Sequence, residues 1–143
     1  MSVGFGFSAG DFIAGIQLVR DVIASLQSSA GSASEYQALI YELFTLERAL
    51  LEVKSLRFED CEAAQLDALK AAATHCQSTI DRFLAKIKKY QPSLNAQGSG
   101  SRIRDSLRKI QWALCSKADL GVFQAEVRGH TGSINILLAT VQM

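Results

Sequence analysis

The stretch Ser34-Glu-Tyr-Gln-Ala-Leu-Ile-Tyr-Glu-Leu-Phe-Thr-Leu-Glu-Arg-Ala-Leu-Leu-Glu-Val53 decides the fold. Tyr36, Leu39, Ile40, Leu43, Leu46, Leu50 and Val53 recur mostly at steps of three and four, which lines them along one side of an α-helix. Glu35, Glu42, Glu47, Arg48 and Glu52 fall mostly on the other side. Ser34 is the expected cap, because its hydroxyl can accept from a free N–H of the first turn. The pattern predicts a helix over 34–56.

The same period continues outward in both directions. Toward the N-terminus, Phe12, Ile13, Ile16, Val19, Val22, Ile23 and Leu26 predict a helix over 11–28, with residues 1–10 as a flexible glycine-rich arm. Toward the C-terminus, Leu66, Leu69, Ala73, Cys76, Ile80, Phe83, Leu84 and Ile87 predict the longest helix, 60–91. Pro92 ends it, since proline cannot continue the hydrogen-bond ladder. Segment 101–114 sets Ile103, Leu107, Ile110 and Leu114 against Arg102, Arg104, Arg108 and Lys109, a short amphipathic basic helix. Ser116 is a good cap for a last helix over 117–141, carried by Leu120, Phe123, Val127, Ile134, Leu137, Leu138 and Val141. Gly129 and Gly132 each cost that helix about 1 kcal/mol relative to alanine. A kink or a close helix contact would account for them.

No segment shows sustained alternation of apolar and polar residues, so the expected fold is all-α. It is an up-and-down four-helix bundle with one additional short amphipathic basic helix, in a single domain over 1–143. Leu39, Leu43, Leu46, Leu69, Ile80, Phe83, Leu84, Phe123, Ile134 and Leu138 are its expected core. The composition agrees: 143 residues, 48% hydrophobic, 20% charged and one proline exclude a disordered, collagen-like or proline-rich chain.

No catalytic arrangement stands out. His75 adjoins Cys76, but adjacent helical residues point about 100° apart. His130 sits between two glycines. Gly4-Phe5-Gly6 with Gly10 lacks the strand and lysine of a phosphate loop. The reading is therefore of a protein that is not an enzyme, with no cofactor, no metal and no small-molecule substrate. Cys61, Cys76 and Cys115 are odd in number and lack metal-ligand spacing, so they read as reduced, mostly buried thiols of a cytoplasmic protein.

Charge is more informative. Residues 1–85 carry six basic against eleven acidic side chains, a net of −5. Residues 86–109 carry seven basic ones, Lys86, Lys88, Lys89, Arg102, Arg104, Arg108 and Lys109, against Asp105 alone, a net of +6. Such a stretch suits anionic membrane lipids, or simply a solvated helix end where lysines complement the dipole. Nucleic acid is not expected, because few aromatic and base-reading polar groups accompany it. The N-terminal stretch 3–19 has only Asp11 charged. Val3, Phe5, Phe7, Phe12, Ile13, Ile16 and Val19 are its candidates for membrane insertion. Gly6, Gly10 and Ala14 are spaced for close helix approach.

Several phrases resemble a known group. Met1-Ser-Val-Gly-Phe-Gly-Phe-Ser-Ala-Gly-Asp-Phe-Ile-Ala-Gly15, Ser34-Glu-Tyr-Gln-Ala-Leu39 and Leu43-Phe-Thr-Leu-Glu-Arg-Ala-Leu50 are similar to fungal N-terminal helical domains. So are Phe83-Leu-Ala-Lys-Ile-Lys-Lys-Tyr90, Lys109-Ile-Gln-Trp-Ala-Leu114 and Gly129-His-Thr-Gly-Ser-Ile-Asn-Ile-Leu-Leu138. That group precedes the nucleotide-binding and ankyrin regions of STAND and NACHT proteins, or ubiquitin-like regions. It resembles HeLo-like domains, the four-helix bundle of the mixed-lineage kinase-like necroptosis executioner and the coiled-coil domains of plant immune receptors. The resemblance implies the N-terminal part of a longer protein acting in fungal immunity, incompatibility or programmed cell death. It implies a domain that oligomerises and attacks the plasma membrane through its first helix. The alternative is a passive adaptor that docks another helical signalling domain without a membrane step.

Overall fold

The computed structural model describes residues 9–29, 34–56, 62–88, 110 and 112–141. Four α-helices carry them: α1 Ala9–Ser29, α2 Ser34–Lys54, α3 Ala63–Lys88 and α4 Lys117–Val141. A single 3-10 turn, Trp112–Leu114, leads into α4. Ala9 and Gly10, expected in the arm, are helical; residues 1–8 lie outside the described residues, as do 57–61 and 89–109. Most of the expected basic helix 101–114 therefore falls outside, and its end, 112–114, is 3-10 rather than α.

Two helix starts are visibly capped. The Ser116 hydroxyl accepts from the Asp119 N–H at 3.0 Å, the bond expected of an N-cap. At α3 the bond runs the other way. The Gln65 side chain accepts from the Glu62 N–H at 2.9 Å, which is the returning half of a capping box.

One end of the bundle fixes the direction of every helix. Trp112 donates its indole N–H to Ser25, near the C-terminus of α1, at 2.9 Å. Tyr36, in the first turn of α2, donates to the Trp112 carbonyl at 3.0 Å. Phe83, near the end of α3, stacks on Trp112 with ring centroids 5.7 Å apart, and on Phe123 of α4 at 4.3 Å. At this end α1 finishes, α2 begins, α3 finishes and α4 begins. The chain therefore runs up and down, as expected.

Around the bundle the order is α1, α2, α4, α3, with α2 and α3 on a diagonal. Ion pairs tie three of the neighbouring pairs: Arg20 to Glu47 between α1 and α2, Arg128 to Glu42 between α4 and α2, and Arg82 to Glu126 between α3 and α4. Their arginines are exposed, so each contributes at most about 1 kcal/mol and marks register rather than stability.

Burial supplies the stability. Leu39, Leu43, Leu46, Leu69, Ile80, Phe83, Leu84, Phe123, Ile134 and Leu138 are all buried, with Ile16, Val19, Val22, Ile23 and Leu26 of α1 beside them. Each such side chain gains about 1.5–3 kcal/mol from leaving water. The stacked rings Trp112, Phe83 and Phe123 add specific geometry where three elements meet. Gly129 and Gly132 were expected at a kink or a close contact. Both are instead exposed on a continuous α4, and a side-chain carbon at either position would meet nothing within 4 Å. The close contact is therefore absent among the described residues.

Candidate interaction surface

α2 carries two apolar stripes. The inner one, from Tyr36 to Val53, builds the core. The outer one is Tyr41, Phe44 and Leu51, with 69%, 45% and 37% of their surface exposed, and the exposed Arg48 stands in the same row. Ile13 of α1 is 49% exposed. Seven residues separate it from Arg20, two helical turns, so both lie on one side of α1. Arg20 reaches Glu47, which stands between Phe44 and Leu51 on α2. Ile13, Phe44 and Leu51 therefore flank that ion pair on one outward face. The sequence reading assigned α2 a single apolar side and missed this row. Its trace in the sequence is the three-four-three spacing of Tyr41, Phe44, Arg48 and Leu51, out of phase with the core stripe.

A smaller exposed patch lies on α4. Val122 and Ile136 face outward together with Gly121, Gly129 and Gly132. Between the first turns of α2 and α4 a groove of about 130 Å³ is lined by Tyr36, Leu39, Lys117, Leu120, Gly121 and Gln124.

The membrane candidates are divided by the fold. Ile16 and Val19 are buried in the core, while Ile13 and Ala14 are exposed. Gly10 and Phe12 fall within α1. Val3, Phe5, Gly6 and Phe7 lie outside the described residues. Of the basic set, Lys86 is exposed near the end of α3 and Lys88 closes that helix. Lys89, Arg102, Arg104, Arg108 and Lys109 lie outside the described residues. No described helix is long and apolar enough to cross a membrane.

The chemistry-bearing groups are dispersed. Cys76 is buried, which pushes its thiol up to about 12, whereas the adjacent His75 is exposed. Cys115 is buried beside the Trp112 turn, and Cys61 lies outside the described residues. No three described His, Cys, Asp or Glu side chains gather closely enough to hold a metal ion. A dense polar cluster bridges α3 and α4. His130 Nε2 lies 2.6 Å from the buried Thr79 hydroxyl, and Arg82 donates to that same oxygen at 3.2 Å. The Thr79 oxygen has two lone pairs and one proton, so it can take the Arg82 proton and still meet His130 as donor or acceptor, according to the imidazole tautomer. Burial holds the His130 imidazole below its ordinary pKa; Glu126 opposes that shift, and His75 and Arg82 reinforce it.

The architecture that follows is an all-helical, four-helix one. Comparison with known family models, curated proteins and solved structures finds no match to this chain.

Proposed function

We propose that this chain is a non-enzymatic signalling domain that acts by assembling with itself or with another helical domain. The observation that carries the reading is the outer row of α2. Single exposed apolar residues are ordinary on a protein surface. Three exposed apolar residues and one arginine at heptad-like spacing, on a helix whose other side already fills the core, are the pattern of a helix with a second packing partner. The resemblance to fungal N-terminal helical domains supplies the biological setting: an effector or relay in immunity, incompatibility or programmed cell death.

A second reading adds an anionic membrane surface. It is favoured by the exposed Lys86, which opens the stretch of seven basic residues against one acidic. Attraction of about 1 kcal/mol per basic residue near such a surface is enough for reversible docking. Insertion of segment 3–19 then requires α1 to leave the bundle, because Ile16 and Val19 are packed in its core. Lipid would receive the apolar surface that the core loses, so Asp11 and the lost packing are the net cost, and assembly offsets it.

The test uses sedimentation velocity over a concentration series, together with dye leakage from anionic and neutral liposomes, with the chain free and fused to an inducible oligomeriser. The reading expects concentration-dependent association. The membrane step expects leakage from anionic liposomes only, lost when the seven basic residues are changed to glutamine. Association without binding to or leakage from anionic liposomes overturns the membrane step and leaves the adaptor. Failure to associate with itself or to capture a helical domain, even when fused, overturns the reading.

A further inference from the structure

We infer that the outer row of α2 is a self-recognition surface, on which a second copy of this chain packs its own α2 in antiparallel orientation. The inference rests on the assembly reading above and names its partner.

Spacing carries the first step. Tyr41, Phe44, Arg48 and Leu51 are separated by three, four and three residues, the interval of the a and d positions of a helix–helix seam. In this fold the seam is open to solvent. The spacing is also symmetric about residue 46. Turning a second α2 end for end about that level sets Tyr41 against Leu51 of the second copy, and Phe44 against Arg48 of the second copy. The two-fold axis repeats both pairs, as a closed dimer requires.

Charge selects the orientation. A parallel, in-register pair would place Arg48 against Arg48 in the middle of the seam. The antiparallel pair lays each guanidinium on the face of a Phe44 ring, where the ring quadrupole attracts it. It also opposes the two helix dipoles rather than aligning them. No acidic or basic like-charge pair occupies the four seam positions in that register.

Area sets the strength. α2 is 21 residues long, about 30 Å, and with α1 alongside the face is about 20 Å wide. That is on the order of 600 Å² per partner, somewhat below the roughly 800 Å² of a stable complex. The dimer is therefore weak and concentration-dependent, and raising local concentration would switch it on.

Cross-linking of the intact chain reads the register. Tyr41→Cys and Leu51→Cys are made as separate variants in a Cys61→Ser background and linked with a short bismaleimide, alone and mixed. The mixture should give at least tenfold more linked dimer than either variant alone, because only unlike positions meet. In parallel, Phe44→Glu should weaken association at least tenfold by sedimentation while leaving the circular dichroism melt of the dilute protein within a few degrees of wild type. Linking dominated by Tyr41→Cys alone means a parallel pair and overturns the inference. Association that ignores Phe44→Glu and gives no 41–51 link overturns the seam and leaves the assembly reading standing. A chain monomeric up to about 1 mM overturns self-recognition, and capture of a different helical domain then separates that failure from failure of the assembly reading.

Discussion

Leu43 and Phe44 are neighbours on α2 and meet opposite environments. Leu43 is sealed in the core, whereas nearly half of the Phe44 surface meets water. Both are large and apolar, so hydrophobicity does not separate them. Helical phase does: about 100° of rotation carries a side chain from the interior of the bundle to its outward face. The two stripes of α2 therefore have different tasks, and substitutions on each should differ in what they damage.

The largest effect is expected on the inner stripe. Leu43→Ala removes a fully buried side chain from among Leu39, Leu46 and Leu50, and the surrounding helices cannot fully collapse around the space. The expected cost is about 2–5 kcal/mol, read as a fall in the denaturant midpoint with little change in slope. A loss below about 1 kcal/mol would mean that the bundle repacks freely, and the contrast between the two stripes would lose its basis.

A smaller effect is expected where polarity rather than packing joins two helices. The Thr79–His130 hydrogen bond joins α3 to α4, and burial there disfavours the charged form of the imidazole. Burial is the largest cause of that preference; Glu126 on α4 opposes it, and His75 and Arg82 on α3 reinforce it. The folded-state pKa of His130 is therefore below its unfolded value. In the unfolded chain the imidazole binds its proton first as pH falls. The stabilising contribution is full above about pH 6.5, where a free imidazole titrates, and declines as pH drops below it. Denaturant midpoints measured at pH 7.5 and pH 5.5 should fall more for the wild type than for His130→Gln. Equal slopes for the two would show that α3 and α4 are not joined through a neutral imidazole.

Much of this fold was legible in the sequence because period and phase survive in the residue pattern. All ten core residues chosen from periodicity alone are buried, and Ser116 caps α4 as its position suggested. Four features were not legible, each for a physical reason. The turn at 112–114 was read as the end of an amphipathic helix. Ile110, Trp112 and Cys115 all point inward at a spacing no single helical face allows, because the indole N–H and the carbonyl of Trp112 are held by Ser25 and Tyr36, far away in the chain. The glycines of α4 suggested a contact, yet space over them is open, and composition cannot distinguish a used small residue from an unused one. The outer row of α2 was hidden because a one-face reading absorbs every apolar residue into the core. The membrane candidates were harder still: periodicity placed Ile16 and Val19 on the same apolar face as Ile13, and only packing shows which of them stays exposed.

The smallest effect on the isolated fold is expected at Tyr41, the most exposed apolar residue of the outer row. With 69% of its surface in water, truncation to alanine gives up less than a third of an ordinary burial. That fraction of the roughly 1.5–3 kcal/mol for a large side chain is on the order of 0.5–1 kcal/mol. Alanine is the better helix former by a few tenths to about 0.5 kcal/mol, which offsets most of the loss. Tyr41→Ala should therefore unfold within about 0.5 kcal/mol of wild type in dilute solution. Concentration distinguishes a passive surface from a working one. A partner that binds only the folded state raises stability by mass action, so the midpoint of a self-associating chain climbs with concentration. The wild-type midpoint should rise between micromolar and near-millimolar protein, and that of Tyr41→Ala should stay level. If both climb alike, association runs through another surface, and the outer face of α2 is merely exposed.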